Sequence, residues 1–211
     1  MKRMTLIFFV IIIFGIAEAQ ELKPISLPPP DTAGGKPLMQ SIKLRKSSRE
    51  FSQEKVAPQV LSNLLWAAFG INRPDGHRTA PSAMNWQEVD IYVVTENGTF
   101  LYDAKTHSLL PVAPNDLREK TGTQAFVKDA PLDLVYVADL SKVKRATGED
   151  QILYLGADAG FIAQNVYLFC ASEGLATVVR GSVDKKELPK LLKLRDDQKI
   201  ILGQTVGHPK K

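Results

Sequence analysis

The sequence has few of the residues that build disulfide frameworks and metal centres. Its 211 residues include one cysteine, Cys170, and three histidines, His77, His107 and His208. A single cysteine excludes an intramolecular disulfide, and the scattered histidines give no metal-ligand spacing. Because Cys170 lies in an apolar stretch, a buried and inert thiol is favoured over a nucleophile. Neither thiol nor metal chemistry is indicated.

Strong charge and repetition are also missing. The formal net charge is +4 at pH 7, and no basic stripe alternates with aromatic residues, so nucleic acid is not an expected partner. The sequence has no internal repeat and no low-complexity tract. These absences favour one ordinary folded domain.

Long hydrophobic runs are absent, with one short exception near the start. Leu6 to Ile16 is apolar, but it is shorter than the roughly 20 residues of a transmembrane helix. It follows Lys2 and Arg3 and precedes Ala17-Glu18-Ala19, which is the pattern of a secretory signal peptide over residues 1–19. We expect export to a bacterial periplasm without a stable membrane anchor; an uncleaved anchor is the alternative.

The segment after the predicted cleavage point is rich in proline and glycine. Residues 20–36 include Pro28-Pro29-Pro30 and Gly34-Gly35, which disfavour regular structure. This composition predicts an extended linker, with one folded domain over residues 37–211.

Hydrophobic periodicity within the domain predicts a mixture of helices and strands. The predicted helices are 38–44, 58–69, 115–120, a central helix ending at Glu173, and 184–192 interrupted at Pro189. The predicted strands are 90–95, 99–102, 109–112, 132–138, 175–180 and 199–206. This order predicts an α+β domain with three layers.

The central helix, from about Tyr154 to Glu173, is apolar almost all round. We therefore expect burial on most of its sides. Small residues between Gly156 and Ala163 permit close approach of another helix or a ligand, Gly174 predicts a C-terminal cap, and the strand that follows ends at Gly181. The pattern alone favours a core helix over a ligand-binding one.

Two polar segments are candidate binding sites. Arg45-Lys46-Ser47-Ser48-Arg49-Glu50-Phe51 has three cations and two hydroxyls, which suit a phosphate, although such runs are usually solvated turns. Ala80-Pro81-Ser82-Ala83-Met84-Asn85-Trp86-Gln87 precedes a predicted strand. Its small and amide-bearing residues suit the edge of a planar heteroaromatic ligand, and the alternative is a turn capped by Ser82 and Asn85.

Four segments together resemble the nitroreductase-like flavoproteins, in the order that this family has them. They are RKSSREF, APSAMNWQ, DAGFIAQNVYLFCASEGLATVVRG and LGQTVGHP. They are similar, in turn, to the family's phosphate motif, flavin loop, central helix with its following strand, and closing segment. The resemblance covers roughly residues 37 to 211, and it is nearer to the branch that contains the peptide azoline oxidases than to the enzymes that reduce nitroaromatics.

The resemblance implies non-covalently bound FMN at the interface of an intertwined homodimer with a four- or five-stranded mixed sheet. It assigns the FMN phosphate and ribityl chain to Arg45, Lys46, Ser47 and Arg49. Pro81, Ser82 and Asn85 would line the ring from the partner subunit, Gln124 would bond the ring edge, and the Gly181 N–H would lie near N5 with Arg180 beside it. Lys210 or Lys211 would replace the arginine with which the family often ends.

The implied activity is ping-pong hydride transfer between FMN and a small organic or peptide-derived substrate. No side chain is identified as a catalytic acid or base. The donor would be NADH or NADPH, or a redox partner protein, since a periplasm has no ready nicotinamide pool. The alternatives are a flavin-binding redox partner or flavin-remodelling protein without turnover, and a structural dimer that has lost the cofactor.

Overall fold

The computed structural model describes residues 22–211, so the predicted signal peptide lies outside the described residues. The helices are α1 (Leu38–Leu44), α2 (Pro58–Phe69), α3 (Gly148–Glu173) and α4 (Leu188–Leu191). The strands are β1 (Ile25–Ser26), β2 (Val89–Thr95), β3 (Gly98–Asp103), β4 (Ser108–Ala113), β5 (Leu132–Asp139), β6 (Ala176–Arg180) and β7 (Gln198–Gly207). Short 3-10 turns lie at 83–85, 118–121, 125–128 and 140–142.

The seven strands form one sheet in the order β1-β4-β3-β2-β5-β7-β6. Every pairing among the described strands is antiparallel. The sheet is therefore larger than the four or five strands that the resemblance implied, and it has no parallel pair within residues 22–211. The six predicted strands are confirmed to within one residue at each end.

The side chains of the central strands alternate between the two faces of the sheet, and each face is covered, which gives three layers. In β2, Ile91 and Val93 belong to the core cluster shared with α2 and α3, whereas Tyr92 and Val94 belong to a second cluster with Leu188 of α4. Successive side chains of a strand point to opposite faces, so both faces of the sheet are covered. The predicted α+β, three-layer class is confirmed.

Helix α3 is the longest of the described helices and packs against α1, α2 and β6. Gly174 ends it in the left-handed conformation (φ 74°), as predicted. It begins at Gly148, earlier than predicted, because Glu149 and Asp150 form a polar first turn whose acidic side chains favour a helix N-terminus. By length and composition α3 could cross a membrane, a property that core helices share.

The burial predicted for α3 is not complete in the single chain. Ile152 is 71% exposed, Leu153 65% and Phe161 46%. Leu38 and Met39 of α1 are exposed as well. Burial on most sides is confirmed from Tyr154 to Glu173, where only Gly156, Phe161, Gln164 and Glu173 are exposed. Ile152 and Leu153 precede the predicted helix, and together with Phe161 they leave part of the apolar surface of α3 without cover within residues 22–211.

The segment predicted as a free linker is bound to the domain from residue 22 onward. Its strand β1 pairs with β4 at the edge of the sheet. The Ser62 hydroxyl donates to the Pro28 carbonyl at 2.5 Å, and the Lys36 N–H donates to Ser172 Oγ at 2.7 Å. The chain is extended there, as proline requires, but its polar groups find partners on β4, α2 and α3.

The helix predicted over residues 184–192 is shorter than expected. Asp184 accepts the N–H groups of Lys186 and Glu187, both at 3.0 Å. These bonds close a turn, and the α-helix begins only at Leu188, next to Pro189, whose ring suits a first helical turn.

The helix predicted from Asn115 to Lys120 is a 3-10 turn at Arg118–Thr121. Asp116, rather than Asn115, accepts the Arg118 N–H at 3.0 Å. Its carboxylate also pairs with the Arg118 guanidinium at 2.7 Å, so the polar groups bond locally instead of continuing a helix.

Candidate functional site

The basic segment leaves the end of α1 and runs along the edge of the sheet. Arg45, Lys46 and Arg49 are exposed. The Ser48 N–H donates to the Thr177 carbonyl of β6 at 2.9 Å, which fixes the segment against that strand. The three cations are therefore held on a defined backbone and face solvent.

Tyr167 of α3 connects this segment to the helix. Its hydroxyl lies 2.8 Å from Ser47 Oγ and accepts the Val179 N–H at 2.9 Å. The Arg45 guanidinium lies over the Tyr167 ring, 5.3 Å from its centroid. Sequence reasoning treated Tyr167 only as an apolar helix residue; the signal it offered was a hydroxyl that needs a partner when buried.

The end of the chain returns to the same place. Phe51 and Pro209 form an isolated antiparallel bridge, and the Lys210 N–H donates to the Glu50 carbonyl at 3.3 Å. Lys210 therefore joins the basic segment. We call the four exposed cations Arg45, Lys46, Arg49 and Lys210 the basic surface.

Acidic side chains of residues 22–211 do not neutralise the basic surface. Within residues 22–211 no carboxylate forms an ion pair with any of its four cations. Cations held by the backbone but not paired in the protein are suited to an anion from outside.

Gln124 and Gly181 lie beside the basic surface. The Thr123 and Ser182 hydroxyls, each next in sequence to one of them, share a short hydrogen bond. The Phe126 ring lies 5.8 Å from the Phe51 ring, which ties the Gln124 turn to the basic segment. Gly181 is exposed at the end of β6, and a Cβ placed on it would meet no atom within 4 Å, so its backbone is open to a ligand.

Arg180 does not take part in this surface. Its guanidinium is buried, pairs with Asp133 at 2.9 Å and donates to the Thr121 carbonyl at 2.7 Å. Burial lowers the pKa of Arg180 and raises that of Asp133 to about 7, and the attraction between them opposes both shifts. The prediction that Arg180 binds the cofactor is wrong, because its side chain is buried and bonded to Asp133 and Thr121.

The loop from Pro81 to Gln87 is anchored to the N-terminal half of α3. Asp158 accepts the Ala83 N–H at 2.8 Å, and Ser82 Oγ accepts the Gln87 N–H at 2.9 Å. Asn85, with φ of 54°, is one of three loop residues in the left-handed region. A left-handed backbone at a non-glycine residue is stable only when neighbouring contacts stabilise it. The hydrogen bonds accepted by Asp158 and Ser82 stabilise this loop.

One chain does not bring this loop to the basic surface. The loop contacts α3 at Asp158, whereas the basic segment contacts it at Tyr167. Nine residues separate the two contacts, which is about 14 Å along a helix with a rise of about 1.5 Å per residue. Pro81, Ser82 and Asn85 therefore form a second group, apart from Arg45, Lys46, Ser47, Arg49, Gln124, Gly181 and Lys210.

A cavity of about 450 Å³ lies elsewhere, beneath the bound N-terminal segment. Leu27, Val56, Leu61, Phe100 and Leu109 supply much of its apolar lining. None of the predicted site residues lines it, so it is separate from both groups.

Comparisons with known proteins agree on one family. The family model described as Nitroreductase family matches residues 42–208. A proposed nitroreductase of Methanocaldococcus jannaschii is 30% identical over 168 residues, which are 75% of this chain and 85% of that protein. An FMN reductase (NAD(P)H) of Bacillus subtilis is 25% identical over 186 residues, covering 82% of this chain and 66% of that protein.

A solved structure agrees with the fold. The crystal structure of a proposed nitroreductase from Ralstonia eutropha superposes with a TM-score of 0.86 at 41% identity. The match covers 93% of each chain.

Proposed function

Because this chain belongs to the nitroreductase family, we propose that it is an oxidoreductase whose cofactor is FMN. The observation that carries the proposal is the basic surface, whose four cations form no ion pair within residues 22–211 and lie beside the open backbone of Gly181. The phosphate of FMN is an anion of the kind this donor set fits. The name of the Bacillus subtilis relative, an FMN reductase, supports the same cofactor.

Within the proposed site, Arg45, Lys46, Ser47 and Arg49 hold the phosphate and the ribityl chain. Lys210 would substitute for the arginine with which the family often ends, and the hydrogen bond from its N–H to the Glu50 carbonyl supports that role. Tyr167 orients Ser47 and the Arg45 guanidinium.

The isoalloxazine ring is proposed to lie by Gly181 and Gln124. The Gly181 N–H would donate to N5, and the Gln124 amide would bond the ring edge. Bound FMN would supply the hydride chemistry, accepting hydride from a donor and passing it to the substrate in separate half-reactions. The chain's own part is to bind and orient, since none of the proposed site residues is assigned as an acid or base.

We propose that two chains complete the site as a homodimer. Pro81, Ser82 and Asn85 lie about 14 Å along α3 from the basic segment of their own chain, so they would line the ring bound by the partner. The exposed Phe161 and Leu153 of α3 support this arrangement, because large exposed apolar residues mark association surfaces.

Replacing Phe161 by glutamate is expected to weaken the dimer, because a buried charge without a partner opposes association. Sedimentation velocity at several concentrations measures the effect, with Leu110→Glu, an exposed residue of β4, as the matched control. A Phe161→Glu protein that sediments as wild type would exclude this face of α3 as the interface.

The natural electron donor is part of the proposal. The Bacillus subtilis relative is named for NAD(P)H, whereas residues 1–19 have the sequence of an export signal. We propose a periplasmic enzyme reduced by an exported redox partner, acting on a small organic or peptide-derived substrate of the kind used by the azoline oxidases it resembles.

Anaerobic mixing of the mature protein with NADH, NADPH or dithionite tests cofactor and donor together. The purified protein is expected to be yellow with an FMN spectrum, to bleach with dithionite, and to bleach slowly or not at all with either nicotinamide. Rapid bleaching by NADH or NADPH would contradict the redox-partner proposal. A colourless protein that does not take up added FMN would contradict the cofactor.

A further inference from the structure

Glu88 is a buried carboxyl that the proposed flavin site does not use. It directly follows the loop Pro81–Gln87, and it is 0% exposed. Neither of its carboxylate oxygens has a hydrogen-bond partner among residues 22–211. An ionised carboxylate is strongly disfavoured in such a place, so either a proton or an unseen donor has to satisfy it.

Asp158 of α3 is the acidic neighbour of Glu88. It is also buried, and its Oδ2 accepts the Ala83 N–H of the loop at 2.8 Å. Two carboxyl groups that share a buried place cannot both ionise without large repulsion. Because Asp158 already accepts an N–H, it is the better placed of the two to carry the negative charge.

The nearby cations are engaged elsewhere. Lys142, which follows β5, pairs with Asp90 at 2.9 Å. Arg78 donates to Gln87 Oε1 at 2.9 Å and does not bond Glu88. The two carboxyls therefore have no cation of their own among the described residues.

We propose that Glu88 and Asp158 hold a single proton between them and that this proton fixes the loop Pro81–Gln87 on α3. The Glu88 O–H donates to one oxygen of the ionised Asp158, and the other oxygen of Asp158 accepts the Ala83 N–H. Loss of the proton leaves two adjacent buried anions, and the loop separates from the helix to hydrate them. Glu88 is thus a positioning residue that acts through Asp158.

The titration of Glu88 agrees with this arrangement. Burial, assisted by the negative charge of Asp158 and opposed by the nearby backbone N–H of Glu88 itself and by Lys142, raises the pKa of Glu88 from 4.5 to about 7. A group whose pKa is raised on docking takes up a proton when the loop docks, so docking weakens as the pH rises. The contribution is complete below about pH 4.5 and is lost as the pH passes about 7.

The consequence for the cofactor rests on the proposed function, because it requires that the docked loop lines the flavin. FMN binding is then weaker above neutral pH than below it. The shared proton of Glu88 and Asp158 does not require a bound flavin. An experiment can therefore contradict the shared proton without contradicting the flavin site, and the reverse.

Trp86, inside the loop, reports docking. Its ring meets the Tyr154 ring of α3 edge-on at 5.9 Å, and the other tryptophan, Trp66, can be replaced by phenylalanine. In the full mature chain carrying Trp66→Phe, Trp86 emission is followed over about pH 5 to 9. We expect a transition near pH 7, matching the raised pKa of Glu88.

Two variants assign the transition. Glu88→Gln, a neutral mimic of the protonated acid, is expected to abolish it and to keep the loop docked at high pH. Asp158→Asn removes the neighbouring charge and is expected to move the midpoint down by about one pH unit or more. Circular dichroism checks that each variant is folded.

The proposal would be overturned if the Trp66→Phe protein, with Glu88 and Asp158 unchanged, showed no pH transition in Trp86 emission. A transition that persists unchanged in Glu88→Gln would also overturn it, because the transition would then belong to another titrating group. A midpoint that does not move in Asp158→Asn would show that Glu88 titrates alone.

A second measurement tests the link to the cofactor. The FMN dissociation constant of wild type is expected to rise about tenfold between about pH 6 and 8, the change that one proton over this interval permits, and that of Glu88→Gln is expected to stay level. A Trp86 transition without a change in FMN affinity would retain the proton and overturn the assignment of the loop to the flavin.

Discussion

Replacing Arg45 and Arg49 together by alanine is expected to weaken FMN binding by about 100-fold or more. Hydrogen bonds to charged groups contribute about 1.5–3 kcal/mol each, and about 1.4 kcal/mol corresponds to a factor of ten in affinity. Both residues are exposed and have no ion-pair partner within residues 22–211, so their removal leaves no buried group behind and should not unfold the protein. Fluorescence titration of the apoprotein with FMN measures the loss.

A control with the same change in net charge separates direct contacts with the FMN phosphate from the general electrostatic attraction of a positively charged protein. Lys105→Ala with Lys199→Ala removes two exposed cations that are not part of the basic surface. This control is expected to bind FMN nearly as tightly as wild type. Equal affinity of the two double variants would show that Arg45 and Arg49 do not hold the phosphate.

Replacing Arg180 by methionine is expected to lower the free energy of unfolding by about 3–5 kcal/mol, the range found when one partner of a buried ion pair is removed. Asp133 is fully buried and would lose the guanidinium that bonds its Oδ1 at 2.9 Å. The Thr121 carbonyl would lose its donor as well. Urea unfolding followed by circular dichroism measures the difference.

Lys190→Met is the surface counterpart. The Lys190 side chain is 72% exposed and pairs at 2.9 Å with Glu187, which is 59% exposed, and exposed pairs contribute about 0–1 kcal/mol. Combining Arg180→Met with Asp133→Leu should recover much of the lost stability, because no buried charge is then left alone. An Arg180→Met protein that is as stable as wild type but no longer binds flavin would contradict the structural role and show that Arg180 contributes to cofactor binding.

Elements with a strong local pattern could be predicted from the sequence. Helix α2 has the predicted bounds, and β5 extends the predicted strand by one residue, because each carries an uninterrupted apolar period. Strand β1 could not be predicted in this way. Its two residues are extended through their pairing with Ser108 and Leu109 of β4, and no local preference reveals a distant edge.

The site could be predicted as segments but not as contacts. The RKSSREF segment and Lys210 lie together, as the motifs implied, whereas Arg180 turns inward to Asp133, which is 47 residues earlier in the chain. The end of a strand is visible in a sequence, but the face toward which its last side chain points depends on the partner that it finds. Tyr167, Asp158 and Glu88 were missed for the same reason.

At both edges of the sheet, the chain leaves little free backbone with which another strand could pair. At one border β1 is only two residues long and is followed by Pro28, so it offers little backbone to another strand. At the other border, the outward Thr177 carbonyl is taken by the Ser48 N–H and the Val179 N–H by the Tyr167 hydroxyl. Copies of this chain are thereby hindered from adding strand to strand into fibres, and self-assembly is directed to the helices.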